Sequence, residues 1–295
     1  MHSSSSSKTK YAIPAALFLI ILLMSCAAPE HRPGHEVRFI VIGNTSPVSP
    51  FTGYPERLPF VFKSMGLENI VLAIHTGNLI HGGNEWMGIT RKDIVRQYQN
   101  VLRHKNMNIA VTHILAGEMD QFNGKNDFFE QFIGTKLFYS FNYADSHFIL
   151  LNILNKDHLL TLGQMRWLEN DLEAHKNDSA IFVFSHYPVI SSPQSGIRYE
   201  GGEALHALFI RYPVKAVISG YMKNYSEYEK DTVRYIDAGC YGFNNEDWQP
   251  GFNQYYIARY DGINFTIKGV KVNFPQHLNK GGAHGGNITE KNKKN

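Results

Sequence analysis

Five apolar runs rich in β-branched and aromatic residues recur along this chain. They are Val37–Ile42, Ile70–His75, Ile109–Leu115, Ile181–Phe184 and Val214–Ile218. Continuous apolar runs of this length mark strands covered on both faces, as in a largely parallel sheet between layers. Each run delivers a short turn: Ile42-Gly43-Asn44-Thr45-Ser46, His75-Thr76-Gly77-Asn78-Leu79, Ala116-Gly117-Glu118-Met119-Asp120, Phe184-Ser185-His186-Tyr187-Pro188 and Ser219-Gly220-Tyr221-Met222-Lys223. Ligand sites in open α/β sheets lie beyond the carboxyl ends of strands. These five turns are therefore the candidate site.

Between the strands, Tyr54–Met65 and Asp93–His104 are predicted helices, the second with Ile94, Tyr98, Val101 and Leu102 at helical spacing. Gln164–His175 is an amphipathic helix with Met165, Leu168 and Leu172 on one face. Two hairpins follow from the pattern. Phe138–Tyr143 pairs with His147–Asn152 across Ala144-Asp145-Ser146, and Gln254–Tyr260 pairs with Asn264–Val272 around Asp261-Gly262. Strand–helix alternation followed by hairpins predicts the α/β class, with a two-sheet β-sandwich flanked by helices. No internal repeat or interdomain linker is visible, and residues 37–277 are read as one domain.

The ends read differently. Lys8 and Lys10 precede an apolar run from Tyr11 to Met24, about 21 Å long as a helix and too short for a bilayer core of about 30 Å. Residues 1–25 are expected to be a signal peptide. Leu23-Met24-Ser25-Cys26 resembles a bacterial lipobox, which implies a lipid-modified Cys26 and a tether over residues 26–36. The expected location is the bacterial cell envelope, and the outer membrane where there are two, since Ala27 rather than Asp follows the cysteine. Cys240, the other cysteine, is expected in the core. Residues 278–295, with Gly-Gly pairs and lysines from Lys280 onward, are expected to be a disordered tail. The formal net charge of +3 falls to +1 once Lys8 and Lys10 are removed, so no nucleic-acid partner is expected.

In order and spacing the five turns resemble the calcineurin-like metallophosphoesterase family, whose motifs run roughly GDxH, GDxx, GNH(D/E), H and GHxH. The resemblance extends from about Val37 to Phe274 and includes the Phe138–Asn152 hairpin, the Gly163–Glu169 helix start and the Val233–Cys240 strand. It implies the family's four-layer architecture and a pair of divalent ions about 4 Å apart that activate water against a phosphate ester. Carried over position by position, the metal-binding Asp and His of the first motif are Asn44 and Ser46, and the bridging Asp is Asn78. The Asn ligand of the third motif is Glu118, and its His is Met119. The lone His is kept as His186, while the final His pair has become Tyr221 and Lys223.

One metal ligand of seven is unchanged. An amide offers one acceptor oxygen and no charge, and an ammonium about 4 Å from a divalent ion repels it by roughly 8 kcal/mol at an effective dielectric near 20. The chain is therefore expected to be a lipid-anchored, catalytically inactive member of this fold that acts as a binding or interaction module, with no cofactor. Its partners would be a membrane through Cys26 and an unknown protein or small anionic ligand. A metal-free anion pocket of Asn44, Asn78, His186, Tyr221 and Lys223 is a further expectation. The alternative is an active phosphoesterase with one divalent ion held by Glu118, Asp120 and His186. His75, His81 and His113, near motif ends, are weaker candidates. A third possibility is a structural lipoprotein whose working face lies near the aromatic loops from Tyr241 to Tyr256.

Overall fold

The computed structural model describes residues 36–103, 111–154, 159–190, 201–222, 225–239 and 254–279. Two mixed sheets form the centre. The first runs β11-β10-β1-β2-β3, built from β1 (Val37–Ile42), β2 (Leu72–His75), β3 (Val111–Ile114), β10 (Gln254–Tyr260) and β11 (Phe265–Lys271). The second runs β4-β5-β6-β7-β9-β8, from β4 (Tyr139–Tyr143), β5 (Ser146–Leu151), β6 (Ala180–Ser185), β7 (Val214–Ser219), β8 (Ser226–Lys230) and β9 (Val233–Asp237). Strands β1, β2 and β3 are mutually parallel, as are β5, β6, β7 and β9, and both expected hairpins form antiparallel pairs.

Side-chain alternation explains why these strands read as unbroken apolar runs. In β5 and β6, Phe148, Leu150, Phe182 and Phe184 face the core shared with the first sheet. Their neighbours Ile149, Leu151, Ile181 and Val183 face the opposite way. There they pack against Leu168 and Leu172 of α4 (Leu162–Ala174) and Leu205 and Phe209 of α5 (Gly202–Phe209). Both faces are covered along the middle of these strands, so apolar residues run unbroken there, and the buried polar residues Ser146, His147 and Ser185 sit at the strand ends. Phe39 of β1 is the pivot between sheets, with its ring 5.3 Å from Phe148, 5.3 Å from Phe182 and 5.8 Å from Phe184.

Helix α1 (Leu58–Gly66) adds Leu58, Val61, Phe62 and Met65 to the same core. It starts four residues later than the sequence pattern implied, because Pro59 lacks an N–H and is tolerated only in a first turn. A third cluster joins the first sheet to α2 (Arg91–Arg103) and α3 (Asp127–Ile133) through Ile94, Tyr98, Phe128 and Phe129. The last described element, α6 (Gln276–Asn279), crosses the expected domain boundary at 277: Leu278 is buried, and its carbonyl accepts from the guanidinium of Arg57. Residues 1–35, 240 and 280–295, carrying the expected signal peptide, Cys26, Cys240 and most of the tail, lie outside the described residues.

Truncation at the pivot tests this packing. Phe39→Ala removes a fully buried ring with three edge-on aromatic neighbours and leaves a cavity between the sheets. It is expected to lower unfolding free energy by about 3–5 kcal/mol in urea titration.

Candidate functional site

All five turns meet at the carboxyl ends of β1, β2, β3, β6 and β7. Hydrogen bonds stitch them together. Asn44 N–H donates to Gly77 O at 2.9 Å, Ser46 N–H to Asn78 O at 2.9 Å, and the backbone N–H groups of Gly220 and Tyr221 to His186 O at 3.1 and 2.9 Å. Close approach requires glycine at two places. A Cβ on Gly117 would lie 2.2 Å from Asn78 Oδ1. One on Gly77, at φ 98°, would lie 2.7 Å from Gly117 Cα and 2.8 Å from His186 Nδ1.

Asp120 fastens the second turn to the third. Its Oδ2 accepts from Asn78 N–H (2.8 Å) and Gly117 N–H (2.7 Å), and its Oδ1 from Leu79 N–H (2.7 Å) and Ile80 N–H (3.0 Å). Burial pushes this carboxyl up to about 6, and the four N–H donors oppose that shift. Tyr98 of α2 holds Asp120 from behind, its hydroxyl donating to the Asp120 carbonyl at 2.9 Å. Both Asp120 oxygens are thus committed to backbone.

Asn44 and Asn78 occupy left-handed backbone conformations, φ 50° and 61°, which asparagine tolerates better than most residues. Their amides form a directed chain. Asn44 Nδ2 donates to Gly220 O at 2.6 Å, Asn78 Nδ2 donates to Asn44 Oδ1 at 3.0 Å, and Asn78 Oδ1 accepts from Met119 N–H at 2.9 Å. The carbonyl at one end and the N–H at the other fix both amide orientations.

His186 is fully buried. Its Nδ1–H donates to Thr76 O at 2.7 Å, which leaves Nε2 as a bare acceptor with no hydrogen-bond partner. Burial pulls this imidazole down to about 4 and holds it neutral at pH 7. Tyr187 and Tyr221 lie beside it, with ring centroids 5.4 and 5.8 Å from His186 and 4.4 Å from each other. The Tyr187 hydroxyl donates to Glu118 Oε2. Ser46 Oγ faces the sulfur of Met119 at 3.9 Å.

The structure therefore brings Asn44, Ser46, Asn78, Glu118, Met119, His186 and Tyr221 to one place; Lys223 lies outside the described residues. One donor of each amide, on Asn44 and Asn78, and the backbone N–H groups of Gly77, Gly117 and Gly220 bond within the protein. Glu118, Asp120 and His186 do not converge as a mutual ligand set; among the described residues one such set is found, His147, Asp171 and His175. His75 is a turn-bracing residue, accepting Gly77 N–H at Nδ1 (3.2 Å) and meeting Thr45 Oγ1 at Nε2 (3.0 Å). Burial and the neighbouring His186 pull it down to about 3. His113 stacks on Phe141 at 3.5 Å, and His81 Nδ1 is buried without a partner. The His147 set was not visible as a site from sequence. Its one linear signal is the four-residue spacing of Asp171 and His175, which places both on one helix face.

The fold and the five-turn site define a metallophosphoesterase-like sandwich. A family model of calcineurin-like phosphoesterases matches residues 37–220. The chain belongs to the calcineurin-like phosphoesterase family. Similar solved structures include a purple acid phosphatase from yellow lupin seeds, with TM-score 0.59, 14% identity, and coverage of 84% of this chain and 52% of that one. This chain thus spans about half the length of that protein. Another is GAP50, titled the anchor in the inner membrane complex of Plasmodium, with TM-score 0.56, 17% identity, and coverage of 84% and 87%. A dimetal phosphatase from Danio rerio has TM-score 0.56 and 11% identity, covering 78% and 98%. No curated protein sequence matches the chain.

If Asp120 is the fastener, Asp120→Asn replaces two acceptor oxygens with one and turns an NH2 toward two backbone N–H groups. Loss of about 2–4 kcal/mol of unfolding free energy is expected in urea titration at pH 7.

Proposed function

We propose that this chain is a non-hydrolytic member of its family, a binding or interaction module anchored to a bacterial envelope through Cys26. The amide chain Gly220–Asn44–Asn78–Met119 is the observation that carries the proposal. A pair of divalent ions needs anionic oxygens with free lone pairs, and at least one carboxylate shared between them. Here Asn78 Oδ1 is engaged by Met119 N–H and Asn44 Oδ1 by Asn78 Nδ2, while Asp120 is engaged by four backbone donors. His186 Nε2 is the buried motif atom left without a partner. One neutral imidazole is a poor substitute for a dimetal ligand set, so the residues present do not suit the family's metal pair.

The amides also suit a site without ions better than the ancestral carboxylates would. Two carboxylate oxygens 3.0 Å apart, in place of the Asn44–Asn78 pair, would repel by about 5.5 kcal/mol at an effective dielectric near 20. A carboxylate at position 44 would also face the Gly220 carbonyl instead of donating to it. Asparagine at both positions removes the charge that metals would otherwise neutralise. Among the described residues, half-buried Glu118 and Tyr187 and exposed Tyr221 lie at the mouth, a surface suited to contact rather than hydrolysis.

Two measurements test this proposal. The full chain incubated with manganese is expected to show no metal-stimulated hydrolysis of p-nitrophenyl phosphate or bis-p-nitrophenyl phosphate; turnover that manganese raises and His186→Ala abolishes would overturn inactivity. For the anchor, Cys26→Ser is expected to move the protein from the membrane to the soluble fraction of a bacterial host. An unchanged fractionation would sink the lipid attachment alone.

A further inference from the structure

A second polar cluster lies at the other edge of the second sheet. His147 is the second residue of β5 and pairs across to Ile181, five residues before His186 on the neighbouring parallel chain segment. At about 3.3 Å per residue, this is about 16 Å from His186 along the strand direction. Asp171 and His175 come from the last turn and C-terminal cap of α4. One nitrogen from each histidine and one carboxylate oxygen all lie within 4.8 Å of one another.

Each of these three side chains is held from behind. Asn142, directly opposite His147 in the β4–β5 hairpin, presents Oδ1 to His147 Nδ1 at 2.5 Å. Asp178 presents Oδ2 to His175 Nδ1 at 2.8 Å. Ser140 donates its hydroxyl to Asp171 Oδ1 at 3.0 Å. With Nδ1–H used on each ring, both Nε2 atoms become lone-pair sites, and Asp171 Oδ2 is the remaining carboxylate oxygen. This is how metal-binding histidines are usually oriented, by an acceptor on the far nitrogen.

The decisive contact is His147 Nε2 to Asp171 Oδ2, 2.9 Å in a pair whose side chains are 2% and 14% exposed. With Nδ1–H directed at Asn142 Oδ1, Nε2 presents its lone pair toward the Asp171 carboxylate, an arrangement that a bound cation would satisfy. The His147 ring stacks on the His175 ring with centroids 3.5 Å apart, which brings the second imidazole beside the same carboxylate. A divalent ion there would take His175 as an additional ligand.

We propose that His147 Nε2, Asp171 Oδ2 and His175 Nε2 bind one divalent ion of the zinc type. Two imidazoles and one carboxylate match zinc, cobalt or nickel and not the all-oxygen shells of calcium or magnesium. Ligand atoms of a tetrahedral zinc site are about 3.3 Å apart. Binding therefore opens the His147–Asp171 contact by a few tenths of an ångström and turns the His175 ring off its stack toward the ion. His175, at 22% side-chain exposure, is the ligand free to make that movement, and it leaves a face for water as fourth ligand. Asp171 and Asp178 together balance the ion's charge. The ion would clamp the β4–β5 hairpin to the end of α4.

Titration of zinc chloride into the EDTA-treated, dialysed full chain is expected to show one equivalent bound with micromolar or tighter affinity. His175→Ala, at a partly exposed helix cap, is expected to weaken binding at least 100-fold. Asp178→Asn, which touches no ion, is expected to weaken it by roughly tenfold. Cobalt should give intense four-coordinate visible bands that His175→Ala removes. Absence of zinc uptake, uptake unchanged in His175→Ala, or a His147 imidazolium signal by NMR that zinc leaves unaltered would each overturn the site. Zinc binding lost in His186→Ala but kept in His175→Ala would also overturn it, and would place the ion at the five turns instead.

Discussion

A single buried carboxylate holds the candidate site in shape. Asp120 accepts four backbone N–H groups from two turns that leave different strands. Removing it would leave those donors without the acceptor that pairs them. The turn conformations follow from it. With Asn78 N–H and Gly117 N–H drawn to one oxygen, the two turns pass so closely that only glycine fits at 117. Asn78 Oδ1 then lies within reach of Met119 N–H. The site's geometry is thus set by a structural interaction that needs no ligand.

The amide chain extends that scaffold across the sheet. It links the turn after β1 to those after β2, β3 and β7 through neutral hydrogen bonds, each between a definite donor and a definite acceptor. In a dimetal enzyme, ions would hold the same turns together through shared carboxylates. Neutral hydrogen bonds and ion-bridged carboxylates are alternative ways of joining the same loops, but they are not interchangeable one residue at a time. A lone Asn78→Asp change would set an anionic oxygen against Asn44 Oδ1 with no ion to neutralise it. Retention of the fold is therefore physically compatible with turns joined by neutral hydrogen bonds alone.

Most of the sheet framework was legible in the sequence because strands buried on both faces leave contiguous apolar runs. Val37–Ile42 and Val214–Ile218 are such runs, and the structure has strands there. Elements with a weaker apolar signal were not legible. Strand β8 is Ser-Glu-Tyr-Glu-Lys at a sheet edge with no fully buried residue, and α5 begins beside the Gly201-Gly202 pair. At the site, the glycines and asparagines revealed where the turns are, but not what they do. Asp120 looked available as a metal ligand because nothing in its neighbours reveals that four N–H groups converge on it. The amide chain itself is not legible in the sequence because its partners are distant, 176 residues apart for Asn44 and Gly220.

The two edges of the second sheet differ in how completely their polar groups are satisfied. At the carboxyl edge, amide, carboxylate and backbone groups of the five turns interlock, and His186 Nε2 is left among them as a buried acceptor without a partner. At the amino edge, Asn142, Ser140 and Asp178 use the outer atoms of three potential ligands and turn the inner atoms toward one another. The first arrangement closes on itself, whereas the second leaves potential ligand atoms of three residues within 4.8 Å of one another. In this chain the turns that carry the family's motifs are joined by hydrogen bonds to one another, and the opposite edge is where three potential ligand atoms gather.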